Sequence, residues 1–261
     1  MSNKLLSLCK VSVDYDSSRA LEDVCLDIYD DDFLAVIGPN GAGKSTLIKA
    51  ILGLVPHSGT ITFSDKLYQN GRLHIGYLPQ NASFDRSFPI SVEDVVFSGL
   101  QGRKGLSLRY TMEDKKLVNE LLQTASLENV ASRQISEISG GQLQRAMLLR
   151  AIIQQPKLLI LDEPTNFVDN LFEHELYDML QVLSKKMAII IVSHDIGTVT
   201  SLVKNIVCVN RHVHRHDSNL ITQEQLDNYD CPIQIISHGR VAHTILGPHN
   251  HCCQAGHSHT H

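Results

Sequence analysis

No stretch of this chain is apolar for long enough to cross a bilayer. The longest apolar run free of charge, Met187 to Val192, falls far short of the ~20 residues a spanning helix needs. Positive charge is also scarce. Lys and Arg number 23 against 28 Asp and Glu, a net charge of −5 with histidine neutral, so no broad basic face is available to nucleic acid phosphates. The opening residues MSNKLLSLCK lack a sustained apolar core and a cleavage-site pattern, so no signal peptide is expected. The six cysteines (9, 25, 208, 231, 252, 253) lack disulfide-framework spacing and point to a reducing compartment. No internal repeat is visible. What is present is globular: 261 residues, 43% hydrophobic and 20% charged, enough for one large domain, or one and a half ordinary ones, around a sizeable core.

The apolar pattern sorts the chain into elements. From Lys4 to Ile28 it alternates (Leu6, Leu8, then Val11, Val13, Tyr15, and later Val24, Leu26, Ile28), which predicts half-buried antiparallel strands with a turn at DSSR. FLAVIG (33–38) is a continuous apolar run ending at glycine, as a strand buried on both faces reads. Further strands are predicted at 59–63, 74–78, 158–162, 187–193 and 205–210, with helices at 91–99, 112–125, 142–154, 171–185 and 196–203. Residues 84–145 lack strand patterning and read as a helical insertion. Past residue 220 the pattern weakens, and the tail after Gly247 is expected to be disordered.

Gly38 to Thr46, GPNGAGKST, satisfies G-x-x-x-x-G-K-[ST] between a predicted strand and a predicted helix. Gly38, Gly41 and Gly43 let the backbone turn its N–H groups inward around phosphate oxygens, with Asn40 at the crown. The following helix adds its positive N-terminus. Lys44 then reaches the β and γ phosphates, and Ser45 offers a hydroxyl to Mg²⁺, with Thr46 beside it. A chance glycine turn is the bland alternative, and the strand and helix on either side weigh against it. A nucleoside triphosphate is therefore the expected ligand.

A second strand, LLILDEP, ends in two acids. Asp162 is placed to hold magnesium and Glu163 to polarise an attacking water. A solvated turn is the usual fate of Asp-Glu after a strand; the upstream phosphate loop reverses that preference. IVSHD (191–195) brings His194 to the end of another buried strand, where ligands collect in α/β sheets. ISGGQ then opens a helix, with Ser139 as N-cap and Gly140, Gly141 and Gln142 behind it. That is a second anion-binding helix start in one chain. Two such sites and one triphosphate suggest two chains sharing nucleotides.

The phosphate loop, LPQ ending at Gln80, SGGQ, LDEP and SHD, in this order over roughly residues 4–215, resemble the ATP-binding subunits of ABC transporters. The resemblance implies an α/β fold with a RecA-like P-loop core, an antiparallel β subdomain and a helical subdomain at about 84–145, all within residues 1–220. Residues 221–261 would be an extension. It implies a homodimer in which each ATP lies between one subunit's phosphate loop and the other's SGGQ helix, clasped by Ser139, Gly140, Gly141 and Gln142. Tyr15 would stack on adenine, Gln80 would contact Mg²⁺ or water and sense the γ-phosphate, and Asp169 would sit at the two-fold interface. Ile138 stands where leucine is commoner, and TNFVD departs from the commonest pattern at that place, Phe167 being bulkier. The 87–99 stretch, SFPISVEDVVFSG, looks like the region where importers of metals and metal chelates dock a separate membrane permease.

Histidine is distributed unevenly. His212, His214 and His216 lie two apart, on one face if the segment is a strand. The terminus adds His249, His251, Cys252, Cys253, His257, His259 and His261. Imidazole with thiolate suits Zn²⁺, with Cu(I) and Ni²⁺ as competitors, whereas manganese prefers oxygen. A solvated edge strand and a purification tag are the plain alternatives. The resulting expectation is an ATPase on the cytoplasmic face of the plasma membrane, energising import of a divalent metal, zinc foremost. Its partners would be permease subunits and, indirectly, an extracytoplasmic metal-binding protein, with no nucleic acid. A manganese or iron-chelate importer, a soluble ABC ATPase and a metal store stay open as alternatives.

Overall fold

The computed structural model describes residues 2–16, 18–80, 88–101, 109–165, 170–194, 196–219, 233–238 and 241–246. In chain order the strands are β1 (Lys4–Tyr15), β2 (Ser18–Tyr29), β3 (Phe33–Ile37), β4 (Ser58–Phe63), β5 (Tyr68–Gln69), β6 (Arg72–Leu73), β7 (Ile75–Leu78), β8 (Leu158–Asp162), β9 (Ala188–Val192), β10 (Asn205–Asn210), β11 (His212–His216), β12 (Ile233–His238) and β13 (Val241–Leu246). The α-helices are α1 (Lys44–Ile51), α2 (Val92–Ser98), α3 (Met112–Thr124), α4 (Gly140–Ile152), α5 (Asn170–Leu183) and α6 (Ile196–Thr200). The predicted strands and helices recur within a few residues of their expected ends.

The central sheet runs β11-β10-β3-β9-β8-β7, parallel throughout except for β11. Every residue of β3, β8 and β9 is buried, because a parallel sheet covered on both faces leaves no wet side. Two apolar clusters meet at this sheet. One packs Ala35, Leu159 and Ile189 against α2, α3 and α4; the other packs Leu34, Ile160 and Ile190 against α1 and the inner face of β1 and β2. The second sheet, β2-β1-β4, is antiparallel. Helices and short 3₁₀ turns occupy the described part of 88–145, joined to each other by the bridge between Ser91 and Gln134.

Capping residues fix where these helices start. Thr111 and Asp114 form a reciprocal capping box at the head of α3, and Ser91 caps α2 through Asp94 N–H. Two elements depart from the expectation. Tyr68–Gln69 and Arg72–Leu73 pair as a hairpin too short for periodicity to reveal. Beyond residue 220 the weakened pattern still yields an antiparallel pair, β12 with β13, from Ile233 against Leu246 to His238 against Val241. The tail after Gly247 lies outside the described residues.

Candidate nucleotide-hydrolysis site

Register decides which side chains meet. Val36 of β3 is level with Val192 of β9, Val192 with Asp162 of β8, and Leu161 with Leu78 of β7. All four strands run the same way, so their C-terminal ends form one rim. The rim carries Gly38, His194, Asp162 with Glu163, and Gln80. Bound ligands collect along this edge of an open parallel sheet.

The loop from Gly38 to Gly43 leads from β3 into α1. Gly43 caps α1 at φ 103° without any side-chain hydrogen bond. A Cβ there would lie 2.7 Å from the Ala20 carbonyl oxygen and 2.9 Å from Leu21 Cδ2, so glycine is required on both counts. The uncapped helix start points its first-turn N–H groups along the loop, the arrangement that suits an anion. Asn40 and Gly41 stand exposed at the crown and Lys44 is buried at the base. The Lys44 ammonium donates to the carbonyls of Gly38 at 2.8 Å and Pro39 at 3.0 Å. Burial lowers its pKa, against the pull of the nearby Glu163 and Asp162 carboxylates.

Asp162 is 4% exposed, and burial first, then the charge of Glu163, raises its pKa. The Ser45 hydroxyl hydrogen-bonds it, yet its Oδ1 is buried with no hydrogen-bond partner. An orphaned buried carboxylate oxygen costs on the order of 1–3 kcal/mol. A hard divalent cation bound by oxygen ligands would offset that cost, so Ser45 and Asp162 fit Mg²⁺.

Glu163 adopts φ 49°, a left-handed conformation rare for a side chain of this kind and worth on the order of 1–3 kcal/mol of strain. Its N–H donates to Val192 O at 2.9 Å. One carboxylate oxygen accepts from Gln80 Nε2 at 2.5 Å and the other lies 3.6 Å from His194 Nδ1. Glu163 therefore contacts both Gln80 and His194, the three residues lying just past the ends of the adjacent strands β7, β8 and β9. His194 remains over half exposed (57%), open toward the rim. Sequence reasoning identified these residues but not the strain at Glu163.

Tyr15 ends β1, is exposed, and stands at the tip of the β1–β2 hairpin, whose Ala20 and Leu21 flank Gly43. A positioning element the sequence did not reveal is Arg211, at φ 58° between β10 and β11. Its N–H donates to Ala42 O of the loop and its carbonyl accepts from Glu22 N–H, tying loop, hairpin and sheet together.

The SGGQ segment lies elsewhere, at the surface start of α4. Ser139 Oγ accepts from Gln142 N–H at 3.2 Å, and Gln142 Oε1 accepts from Ser139 N–H at 3.0 Å. Further along α4, Gln144 Nε2 donates to Pro164 O at 2.6 Å, one residue past Glu163. Asp169 and the terminal histidines and cysteines (249, 251, 252, 253, 257, 259, 261) lie outside the described residues.

His212, His214 and His216, read in the sequence as possible zinc ligands, share β11. Among the described residues no group of three or more His, Cys, Asp or Glu is arranged to hold a metal ion. The reason is spacing: alternate residues on a strand stand about 6.6–6.8 Å apart, so the outer two are too distant to share one ion. Exposure also differs, His212 being exposed and His216 buried.

A phosphate loop after β3 and the Asp162–Glu163 pair after β8, on one rim of the same parallel sheet with β9 between them, form the arrangement of a P-loop ATPase. The ABC transporter family description matches residues 21–166, more than half the chain. The chain belongs to that family and is its ATP-hydrolysing component, coupled to transport. It is 42% identical over 195 residues to the manganese transport system ATP-binding protein MntB of Bacillus subtilis, covering 74% of this chain and 78% of that one. It is 34% identical to the zinc import ATP-binding protein ZnuC of Pasteurella multocida, covering 80% and 74%. A solved structure described as an inward-facing ABC transporter of metal-chelate type superposes with a TM-score of 0.76 at 27% identity, covering 93% of this chain and 96% of that one.

Proposed function

We propose that the chain works as a homodimer on the cytoplasmic face of the membrane, energising import of zinc through separate permease subunits fed by an extracytoplasmic metal-binding protein. Each ATP would lie between Lys44 and its loop on one subunit and Ser139, Gly140, Gly141 and Gln142 on the other, with Tyr15 against adenine and Asp169 at the two-fold axis. The observation that carries the ATPase part is the Gln80–Glu163–His194 contact beside Asp162. Glu163 takes the proton of the attacking water, Gln80 and His194 hold that carboxylate in place, and Lys44 with the loop N–H groups neutralises the γ-phosphate. When bound by Ser45, Asp162 and Gln80, Mg²⁺ supplies charge stabilisation to the transferring phosphoryl group.

Membrane attachment rests on partners, since no helix among the described residues is long and apolar enough to span. The choice of zinc rests on relatives named for zinc import and on the five histidines and two cysteines within residues 249–261. Manganese is the second reading, favoured by the 42% relative named for it. The test is elemental analysis of cells lacking the chain and grown under metal limitation. A selective zinc deficit, restored by the wild type and not by Glu163→Gln, supports the reading. Normal zinc with depleted manganese moves the cargo to manganese. Unchanged metals of every kind remove metal import altogether.

A further inference from the structure

Two cysteines far apart in sequence face each other across the β1–β2 hairpin. Leu8 pairs with Leu26 and Val11 with Val24. Between these pairs β1 has two residues, Cys9 and Lys10, whereas β2 has only Cys25. This is a β-bulge, in which two residues oppose one. Lys10 carries the positive φ of 52° that such an irregularity needs, and its N–H donates to Cys25 Sγ at 3.3 Å. Cys9, Lys10 and Cys25 are all exposed, so both thiols emerge on the solvent side of the sheet at the bulge.

The third strand is shaped around the same feature. Gly59 of β4 sits at φ 82°, and a Cβ there would collide with the Lys10 carbonyl. Bulge, left-handed lysine and facing glycine thus hold one local geometry. By contrast Cys208 is buried in β10.

We infer that Cys9 and Cys25 form a reversible cross-strand disulfide, a redox modification site separate from the nucleotide site. Its reaction partner is a low-molecular-weight disulfide. One cysteine thiolate attacks it, forming a mixed disulfide and releasing one thiol. The second cysteine then attacks the protein sulfur of that bond and releases the other thiol. The protein loses two hydrogens as one small disulfide becomes two thiols. Cys9 and Cys25 meet at a bulge, where two residues oppose one, rather than as a regular pair, whose Cβ atoms stand about 4.5–5.5 Å apart against the ~3.5–4.5 Å of a relaxed disulfide. The bond is therefore strained as well as exposed, the combination that makes a disulfide readily reducible. It would close the hairpin that ends at Tyr15.

The test equilibrates the full chain in a graded series of reduced and oxidised glutathione, blocks free thiols by alkylation, and maps the peptides by mass spectrometry. The expected result is a cross-linked peptide joining Cys9 to Cys25, half-formed at a mildly oxidising ratio and abolished by reductant. In Cys9→Ser, Cys25 should carry glutathione instead, and in Cys25→Ser the same should hold for Cys9. Both positions are exposed, so these variants fold. Glutathione on both sulfurs of the wild type without the cross-linked peptide would overturn the inference. So would Cys9 or Cys25 paired only with position 208, 231, 252 or 253.

Discussion

Gly141→Ala separates what one chain needs from what two chains need. The Gly141 position lies in the first turn of α4, and a Cβ built there meets nothing within 4 Å among the described residues. Its φ is not in the left-handed region, so alanine is compatible with the backbone. Glycine inside a helix costs about 0.5–1 kcal/mol relative to alanine, and the substitution should stabilise the isolated chain by that amount. At roughly 2–4 °C per kcal/mol for a domain of this size, Tm should rise by ~1–4 °C. Nothing among the described residues therefore explains the glycine. If a partner's ATP approaches this turn, the added methyl pushes it away, and a displacement on the scale of 1 Å is worth on the order of 10²-fold in rate. The assay pairs thermal unfolding with steady-state ATP hydrolysis on the same preparation. A chain that is more stable and hydrolyses ATP at the wild-type rate would refute the shared-site reasoning.

Other substitutions probe the rim. Lys44→Ala should weaken ATP binding itself, read as a loss of nucleotide-induced thermal shift; unchanged affinity would count against the phosphate loop. Asp162→Asn should raise the Tm of the nucleotide-free protein at neutral pH. The sign follows from the raised pKa: a carboxyl harder to ionise when folded loses stability as pH rises from the unfolded value toward the folded one, and asparagine escapes that loss. The same variant should lose the extra shift that Mg²⁺ adds to ATP, and an unchanged Mg²⁺ response would contradict the assignment. Burial lowers the pKa of both His214 and His216 below 6.5, so the stability they confer is present above that value and is lost as pH falls through their lower folded values. Melting curves between about pH 7.5 and 5.5 should show the decline, and His216→Leu should flatten it.

The rim was legible in the sequence because its chemistry is local. GPNGAGKST, LLILDEP and IVSHD each combine a buried apolar strand with polar residues at its end, and burial on both faces gives β3, β8 and β9 uninterrupted apolar runs. That His194 would sit on a neighbouring strand followed from where ligands collect in α/β sheets, but the full strand order did not, since spacing alone does not order parallel strands. The conformation of Glu163 was hidden because a left-handed residue of this type leaves no compositional trace. The Arg211 bridge was hidden for a different reason: it acts through backbone groups, whatever the side chain. The bulge, in contrast, had left a mark. Apolar residues fall at Leu6 and Leu8, then at Val11 and Val13, and that change of phase is the extra residue opposite Cys25. His212, His214 and His216 lie at alternate positions of β11, and strand spacing keeps the three imidazoles from converging on one ion.

The most direct measurement is ATP turnover by Glu163→Gln, made alongside its ATP affinity. The amide keeps the shape of the side chain that Gln80 and His194 contact while removing its basicity. Affinity should be retained and turnover should fall by roughly 10²–10⁴-fold, the scale of a positioned general base. Turnover at the wild-type rate would contradict the account at its centre, by showing that the Glu163 carboxylate on this rim does not activate the water.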